Sequence, residues 1–380
     1  MAHPERQTSK FAQWDAEGRA ASLRAVEVDP WQDQRWHSFV AGQPEGLIYH
    51  DPLWFEVLRR SYGYEFLGIG CERSDGSLSG VLPLSRTRGL LTGRRLSSLP
   101  HTPVAGPLAE DPVTISCLLQ AAVERARVDE GANLQIKSVS AGLSEVATGL
   151  AGRPWEPTYV IELPSDPEAV RFGNSRNHSR IKWAVNKAIK AGVTVRAAEH
   201  ETDLRAWYRL YLETMRPRAV PPRPFEFFAA LWDVLRPRGH MRLLIAEQEI
   251  AGVRTLIAGS VFLAYGETTH YAFTGASREH LGLRPNDIIQ WEAIHEACAG
   301  GHRWYDLGEV NIGDQGLADF KKKWGGEPRP LHRYYYPAPH ELETGVLGRS
   351  TRPRRVASAV WAKLPLGATA VFGKWLYLYL

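Results

Sequence analysis

The chain runs twice through one order of elements, and that duplication limits the folds open to it more than any single motif. In the first half, Pro52–Ser61 has helical patterning, and Phe66–Glu72 and Gly80–Ser85 pattern as strands about a Ser74-Asp75-Gly76 turn. In the second half, Asp203–Met215 and Pro224–Leu235 pattern as helices. Strands Met241–Glu247 and Ala251–Ala258 follow around Gln248-Glu249, then Ser260–Tyr265 and Thr268–Phe273 around Gly266-Glu267. A helix at Asn286–Ala299 is bracketed by Pro285 and Gly300-Gly301, and strands Trp304–Leu307 and Leu331–Tyr336 close the series. Pro164, Pro167 and Gly173 break the periodicity between the halves. The expectation is an α+β protein with mixed sheets: units at 1–165 and 166–340 with a cleft between them, and a tail at 341–380.

The segment Trp304–Pro328, WYDLGEVNIGDQGLADFKKKWGGEP, carries the densest chemistry. A short apolar strand runs into a glycine-containing polar loop and then a lysine-rich helix start. Leu317, Phe320 and Trp324 recur at i, i+3 and i+7, so they can dock while Lys321, Lys322 and Lys323 project. Cationic heads and backbone amides are thereby expected near a strand end, where an anion or oxyanion could sit.

Ser175–Ala191, SRNHSRIKWAVNKAIKA, reads as an amphipathic helix ended by Gly192. At about 100° per residue, Arg176, Arg180, Trp183, Lys187 and Lys190 share an arc of roughly 80°. Ile181, Ala184, Val185, Ala188 and Ile189 are expected to be the buried side. A one-sign stripe with an aromatic in it suits a phosphate backbone or a lipid pyrophosphate, and a solvated surface face would read the same way.

The YDLG strand followed by FKKKWGG resembles the C-terminal signature of the Fem-type transferases, a two-domain branch of the GNAT acyltransferase superfamily. HDPLWFEVL (His50–Leu58), the loop Gly93–Asp111 and AIKAGVTV (Ala188–Val195) are similar to other stretches of that family. Known members add amino acids from aminoacyl-tRNA to peptidoglycan precursors. The resemblance implies two tandem GNAT-like domains and transfer of an aminoacyl group to an amine of a cell-wall precursor or peptide-like metabolite. It also implies that Lys321 sits near the donor ester, with Phe320 beside it, and Lys322 and Lys323 are the alternatives because register within a lysine run is open. Asp306 would orient the amine, Arg176, Arg180 and Lys187 would meet tRNA, and His101 would line the acceptor side.

Acyl-CoA relatives carry a glycine turn for the pyrophosphate. The equivalent ASREHLGLRPND has Leu281 where its first glycine belongs, which favours aminoacyl-tRNA as co-substrate. Two alternatives stay open: an acyl-CoA-dependent N-acyltransferase acting on an amino sugar or small metabolite, and a non-catalytic RNA- or envelope-binding module. No bound cofactor or metal is expected, since the histidines lack HExxH or His/Cys spacing. The formal net charge of +4, from 46 basic and 42 acidic residues, imposes no global attraction to nucleic acid. Three scattered cysteines and the lack of an apolar leader point to a cytoplasmic protein. The proline-rich, basic MRPRAVPPRP (Met215–Pro224) reads as a stiff connector at the cleft. The basic-then-aromatic tail suggests contact with the inner face of a membrane, and folding back on the protein is equally compatible with its sequence.

Overall fold

The structure, a computed structural model, describes residues 23–89, 93–129, 132–218, 220–311, 313–339, 361 and 364–379. The first half builds β1 (Arg24–Val28), α1 (Gln34–Gly42), α2 (Pro52–Tyr62), β2 (Glu65–Glu72), β3 (Leu78–Gly89), β4 (Gly93–Ser97) and β5 (Leu108–Ala109). It continues through α3 (Pro112–Val128), β6 (Asn133–Ser138), α4 (Leu143–Val146), β7 (Ala151–Pro154) and β8 (Thr158–Glu162). The second half holds α5 (Ser175–Lys190), β9 (Thr194–Ala197), α6 (Glu201–Met215), α7 (Phe225–Val234), β10 (Met241–Ile250), β11 (Val253–Tyr265) and β12 (Thr268–Ala276). Then come α8 (Pro285–Ala299), β13 (Trp304–Glu309), α9 (Gln315–Lys323), β14 (Glu327–Arg329), β15 (His332–Tyr336) and a terminal helix, α10 (Leu366–Tyr379). Local chemistry sets the helix ends. Asp51 caps α2 by accepting the Leu53 amide at 2.8 Å, Pro52 opens the first turn, and Gly63 closes it at φ 70°.

The sheets repeat one plan. The first has the order β1-β2-β3-β4-β6-β15-β7, with β5 beside β3, and the second β9-β10-β11-β12-β13-β8-β14. In each, all neighbours are antiparallel except one central pair: β4 with β6, and β12 with β13. The strand beyond that pair is exchanged between halves. β8 precedes the expected boundary yet pairs in the second sheet, and β15 returns to the first, against β6 and β7. Leu331–Tyr336 is therefore not the last strand of the second domain, and the sheets do not divide at residue 165. A short polar-then-aromatic run such as HRYYY fits either sheet, and only the path of the chain selects one.

Two further expectations change. The turn after β10 is Ala251-Gly252, both at positive φ, not Gln248-Glu249. Ala251–Ala258 and Ser260–Tyr265 belong to the single strand β11. Gly259 marks no break: a Cβ there would lie 2.6 Å from Trp207 Cδ1, and the Trp207 indole donates to the Gly259 carbonyl at 2.8 Å. The glycine lets α6 approach the sheet closely.

Each domain has its own core, and a third apolar cluster joins them. α2 packs on α7, with Trp54 and Phe227 edge to face at 6.0 Å, and Trp36, Phe55, Trp207 and Phe228 are fully buried in the same cluster. A shared aromatic core of this kind holds the cleft walls at a fixed separation.

Candidate active site

The parallel ladder of β12 and β13 ends at the pair His270–Asp306. There β13 is irregular: its register against β8 shifts between Asp306 and Glu309, and Gly308 has φ 84°. The side chains at this end face the cleft. His270 Nδ1 lies 3.3 Å from Asp306 Oδ2, and its ring lies 5.2 Å from that of Tyr49 on the first domain. The other ring nitrogen, Nε2, is buried with no hydrogen-bond partner, and the residue is only 5% exposed. Asp306 Oδ1 accepts from the Thr158 hydroxyl and, at 2.7 Å, from the Gly308 amide. Burial alone would raise the Asp306 carboxyl, but its bonds from His270, Thr158 and Gly308 win and hold it below the usual carboxylate range. Asp306 is thus committed to its neighbours and orients His270.

Behind the same bend stands Lys321. Its Nζ donates to the carbonyls of Gly308 at 2.8 Å and Glu309 at 3.0 Å, leaving one ammonium hydrogen unassigned. Burial lowers its pKa to about 8, against the opposing pull of Asp306, Glu309 and Asp314. The lysines do not all project. Lys321 points in and is 4% exposed, Lys322 is exposed, and Lys323 pairs with Asp287 at 2.9 Å. With Trp324 anchored in the core and the chain turning at Gly325, the helical period sends Lys321 inward. Phe320 packs against the second-domain core and carries Lys323 over its ring at 5.1 Å.

The cleft between the sheets has a volume of about 960 Å³. Five cations line it, Arg95, Lys137, Arg223, Arg329 and Arg333, against the carboxylates of Glu45, Asp306 and Glu309. Arg333 pairs with Glu309 at 3.1 Å. Lys137 donates to the carbonyls of Leu99 at 2.7 Å and Thr102 at 3.0 Å, and burial holds its pKa well below that of a free lysine. Arg223, delivered by the proline-rich connector, donates to Tyr62 Oη and the His101 carbonyl and lies over the Phe227 ring at 4.5 Å. His101 does line the cleft. Its Nε2 lies 2.7 Å from Tyr64 Oη and 3.0 Å from the Tyr377 carbonyl, and burial, with Arg223 and Lys137 nearby, lowers its pKa to about 3.

A second concavity, about 490 Å³, lies on the outer face of the second domain. Arg176, Arg180, Trp183, Arg284, Asp287 and Lys323 line it. The α5 stripe is exposed, with Lys187 over the Trp183 ring at 5.6 Å, although Lys187 does not line the concavity. Ile181, Ala184, Val185 and Ala188 are buried as expected, whereas Ile189 is 56% exposed because it sits at the edge of the apolar arc near the helix end.

Residues 175–322 match the family described as the acetyltransferase (GNAT) domain. No curated protein matches the chain by sequence. Among solved structures, FemX superposes with a TM-score of 0.65 at 16% identity, over 85% of this chain and 99% of FemX. L-PGS from Bacillus licheniformis gives 0.52 at 11% identity, over 88% and 98% of the two chains. The C-terminal domain of a putative lysylphosphatidylglycerol synthetase from Agrobacterium fabrum gives 0.52 at 12%, over 83% and 95%. By sequence, then, residues 175–322 are similar to the GNAT acetyltransferase domain, and the fold of the whole chain is similar to that of FemX.

His270, Tyr49, Thr158, Lys137 and Arg223 are site residues that the sequence did not single out. The one signal for His270 is the small or polar alternation Thr268, His270, Ala272 within an otherwise bulky strand.

Proposed function

We propose that this protein transfers an aminoacyl group from aminoacyl-tRNA to an amine of a cell-wall precursor or peptide-like metabolite. The observation that carries the chemistry is the buried, unpartnered Nε2 of His270 facing the cleft with Asp306 behind it. An amine entering from the cleft attacks the ester carbonyl carbon, and its proton passes to His270 Nε2. Asp306 fixes the tautomer that leaves Nε2 free to accept, and it balances the resulting imidazolium. A C–N bond forms, the carbonyl oxygen becomes an oxyanion, and the ester C–O bond then breaks. The Lys321 ammonium, anchored by two carbonyls, offers its third hydrogen to that oxyanion or to the departing ribose oxygen.

The exposed α5 stripe and the arginine-lined concavity support an RNA donor approaching from the second domain. The similarity of the fold to FemX and to L-PGS supports this reading. On the acceptor side, Lys137 and Arg223 donate to carbonyl and hydroxyl oxygens rather than to carboxylates, which favours an acceptor bearing negative charge beside its amine.

The test is a donor comparison, titrating the protein with bulk charged tRNA and with acetyl-CoA at low and moderate salt. Salt-sensitive tRNA binding, followed by transfer of labelled amino acid to an amine, supports the reading. Acetyl-CoA binding without tRNA affinity overturns it in favour of a CoA-dependent N-acyltransferase.

A further inference from the structure

The terminal helix α10 folds back on the protein. Tyr377 lies near the cleft, its carbonyl held by Tyr64 Oη at 3.1 Å and its ring 5.3 Å from the Arg223 guanidinium. Gly373 seats against the connector, where a Cβ would lie 2.4 Å from the Pro222 carbonyl oxygen, and Lys374 pairs with Glu226. Leu366, Ala370 and Tyr377 pack on the shared core.

The outward side of this helix is apolar as well. Val371 is 69%, Phe372 51% and Trp375 53% exposed. At about 100° per residue the three fall within roughly 100° of arc. A helix that is apolar all round is ordinarily buried all round, and this one is buried on one side only. Exposed aromatics grouped on one face mark an interaction surface.

The chain identifies the partner by charge. From Thr344 to Leu380 there are six basic residues, Arg349, Arg352, Arg354, Arg355, Lys363 and Lys374, and no acidic one. Tyr64 and Tyr377 hold the end of the helix beside the β2–β3 pair, whose hairpin continuation carries the exposed Arg88 and Arg94. Among the described residues no helix is long and apolar enough to cross a membrane, and the 14 residues of α10 reach only about 21 Å. An exposed apolar face in a stretch of sequence that carries basic and no acidic residues, on a helix too short to span, suits the headgroup boundary of an anionic bilayer.

We infer that the exposed face of α10 docks on an anionic lipid surface and presents the mouth of the cleft to that surface. The inference does not depend on the donor or on turnover, so it can fail while the proposed function stands, and the reverse.

The experiment is co-sedimentation of the full chain with vesicles of phosphatidylcholine containing 30 mol% phosphatidylglycerol and with vesicles of phosphatidylcholine alone, at low and moderate salt. The expected result is salt-sensitive binding to the anionic vesicles, at least tenfold tighter than to neutral ones. Val371→Ser with Phe372→Ser, which leaves Trp375 in place, should weaken that binding at least tenfold at an unchanged melting temperature. No preference for anionic vesicles in the wild-type protein overturns the proposal without reference to any variant. Equal binding by the double variant, or concentration-dependent self-association that the double variant abolishes, also overturns it, the latter by making the face a contact between copies.

Discussion

His270 and Asp306 are the last register partners of the parallel β12–β13 ladder, and their side chains meet at 3.3 Å where that ladder ends. Pairing across strands sets their distance, so a connection containing the whole of α8 does not loosen it. The pair is consequently held by backbone rather than by flexible loops.

If His270 accepts the amine proton, His270→Ala should lower kcat by roughly 10²–10⁴-fold with little change in KM for the acceptor. Asp306→Asn keeps the shape but misdirects the imidazole, so it should fall between wild type and His270→Ala. Steady-state transfer of labelled amino acid to a saturating amine measures both. Unchanged kcat in His270→Ala would remove the histidine from the reaction.

If Lys321 acts as a cation in the reaction, the rate should have a high-pH limit. Its ammonium has a pKa of about 8, lowered chiefly by burial, so the cation is the main form below pH 8 and is lost as pH rises through that value. Turnover that needs the cation should decline with a midpoint near pH 8, and in Lys321→Met both that limb and most of the activity should disappear. The variant also leaves the Gly308 and Glu309 carbonyls without their donor, at a cost of about 1–3 kcal/mol, so pH profiles should be paired with melting curves.

Much of this site was legible in sequence at the level of segments but not of side chains. The spacing of Leu317, Phe320 and Trp324 located a docking helix, yet adjacent lysines differ by about 100° each, and a small error in phase exchanges the buried one for an exposed one. Lys321 is resolved from Lys322 and Lys323 only once Trp324 is seen in the core. The α5 stripe was readable because five positions repeat the same phase. His270 was not, since a single histidine in a strand carries no period and its significance comes from Asp306 and Tyr49, which are distant in sequence. The exchange of β8 and β15 was hidden because strand patterning records a buried face and not the identity of the neighbour.

The α5 stripe makes a quantitative demand on RNA binding. Arg180→Ala and Lys187→Ala should each reduce the slope of log affinity against log salt by about one if each side chain meets a phosphate. Lys190, on the same stripe but one turn nearer the helix end, provides a graded control. Filter binding of charged tRNA across salt concentrations gives the slopes, and slopes unchanged in both variants would place the RNA elsewhere.

His101 should make the fold sensitive to acid. Its pKa is about 6.5 when unfolded and about 3 in the fold, where burial and the neighbouring Arg223 and Lys137 disfavour the imidazolium. The unfolded chain therefore binds the extra proton first. Its stabilising contribution is complete above pH 6.5 and is lost as pH falls toward 3. His50, fully buried with a pKa lowered to about 4, adds to the same slope. Melting temperature should drop between pH 6.5 and 4, and less steeply in His101→Asn, where asparagine tolerates the φ of 58° at that position.

The last test concerns the support behind the strand that carries His270. β12 lies against α6 at Gly275, where a Cβ would stand 2.4 Å from the Tyr211 amide nitrogen, 2.7 Å from Leu210 C and 2.8 Å from Tyr211 Cα. Those atoms are helix backbone and cannot rotate aside. Gly275→Ala must push β12 away from α6, and overpacking of this kind costs about 3 kcal/mol. Gly282→Ala, with nothing within 4 Å of the added carbon, should change stability by no more than about 0.5 kcal/mol. Because His270 belongs to the displaced strand, Gly275→Ala should also lose turnover beyond its unfolded fraction, which active-site titration at a temperature well below its melting point will separate. Loss confined to the unfolded fraction would mean that the His270–Asp306 pairing holds its geometry without the close seat on α6.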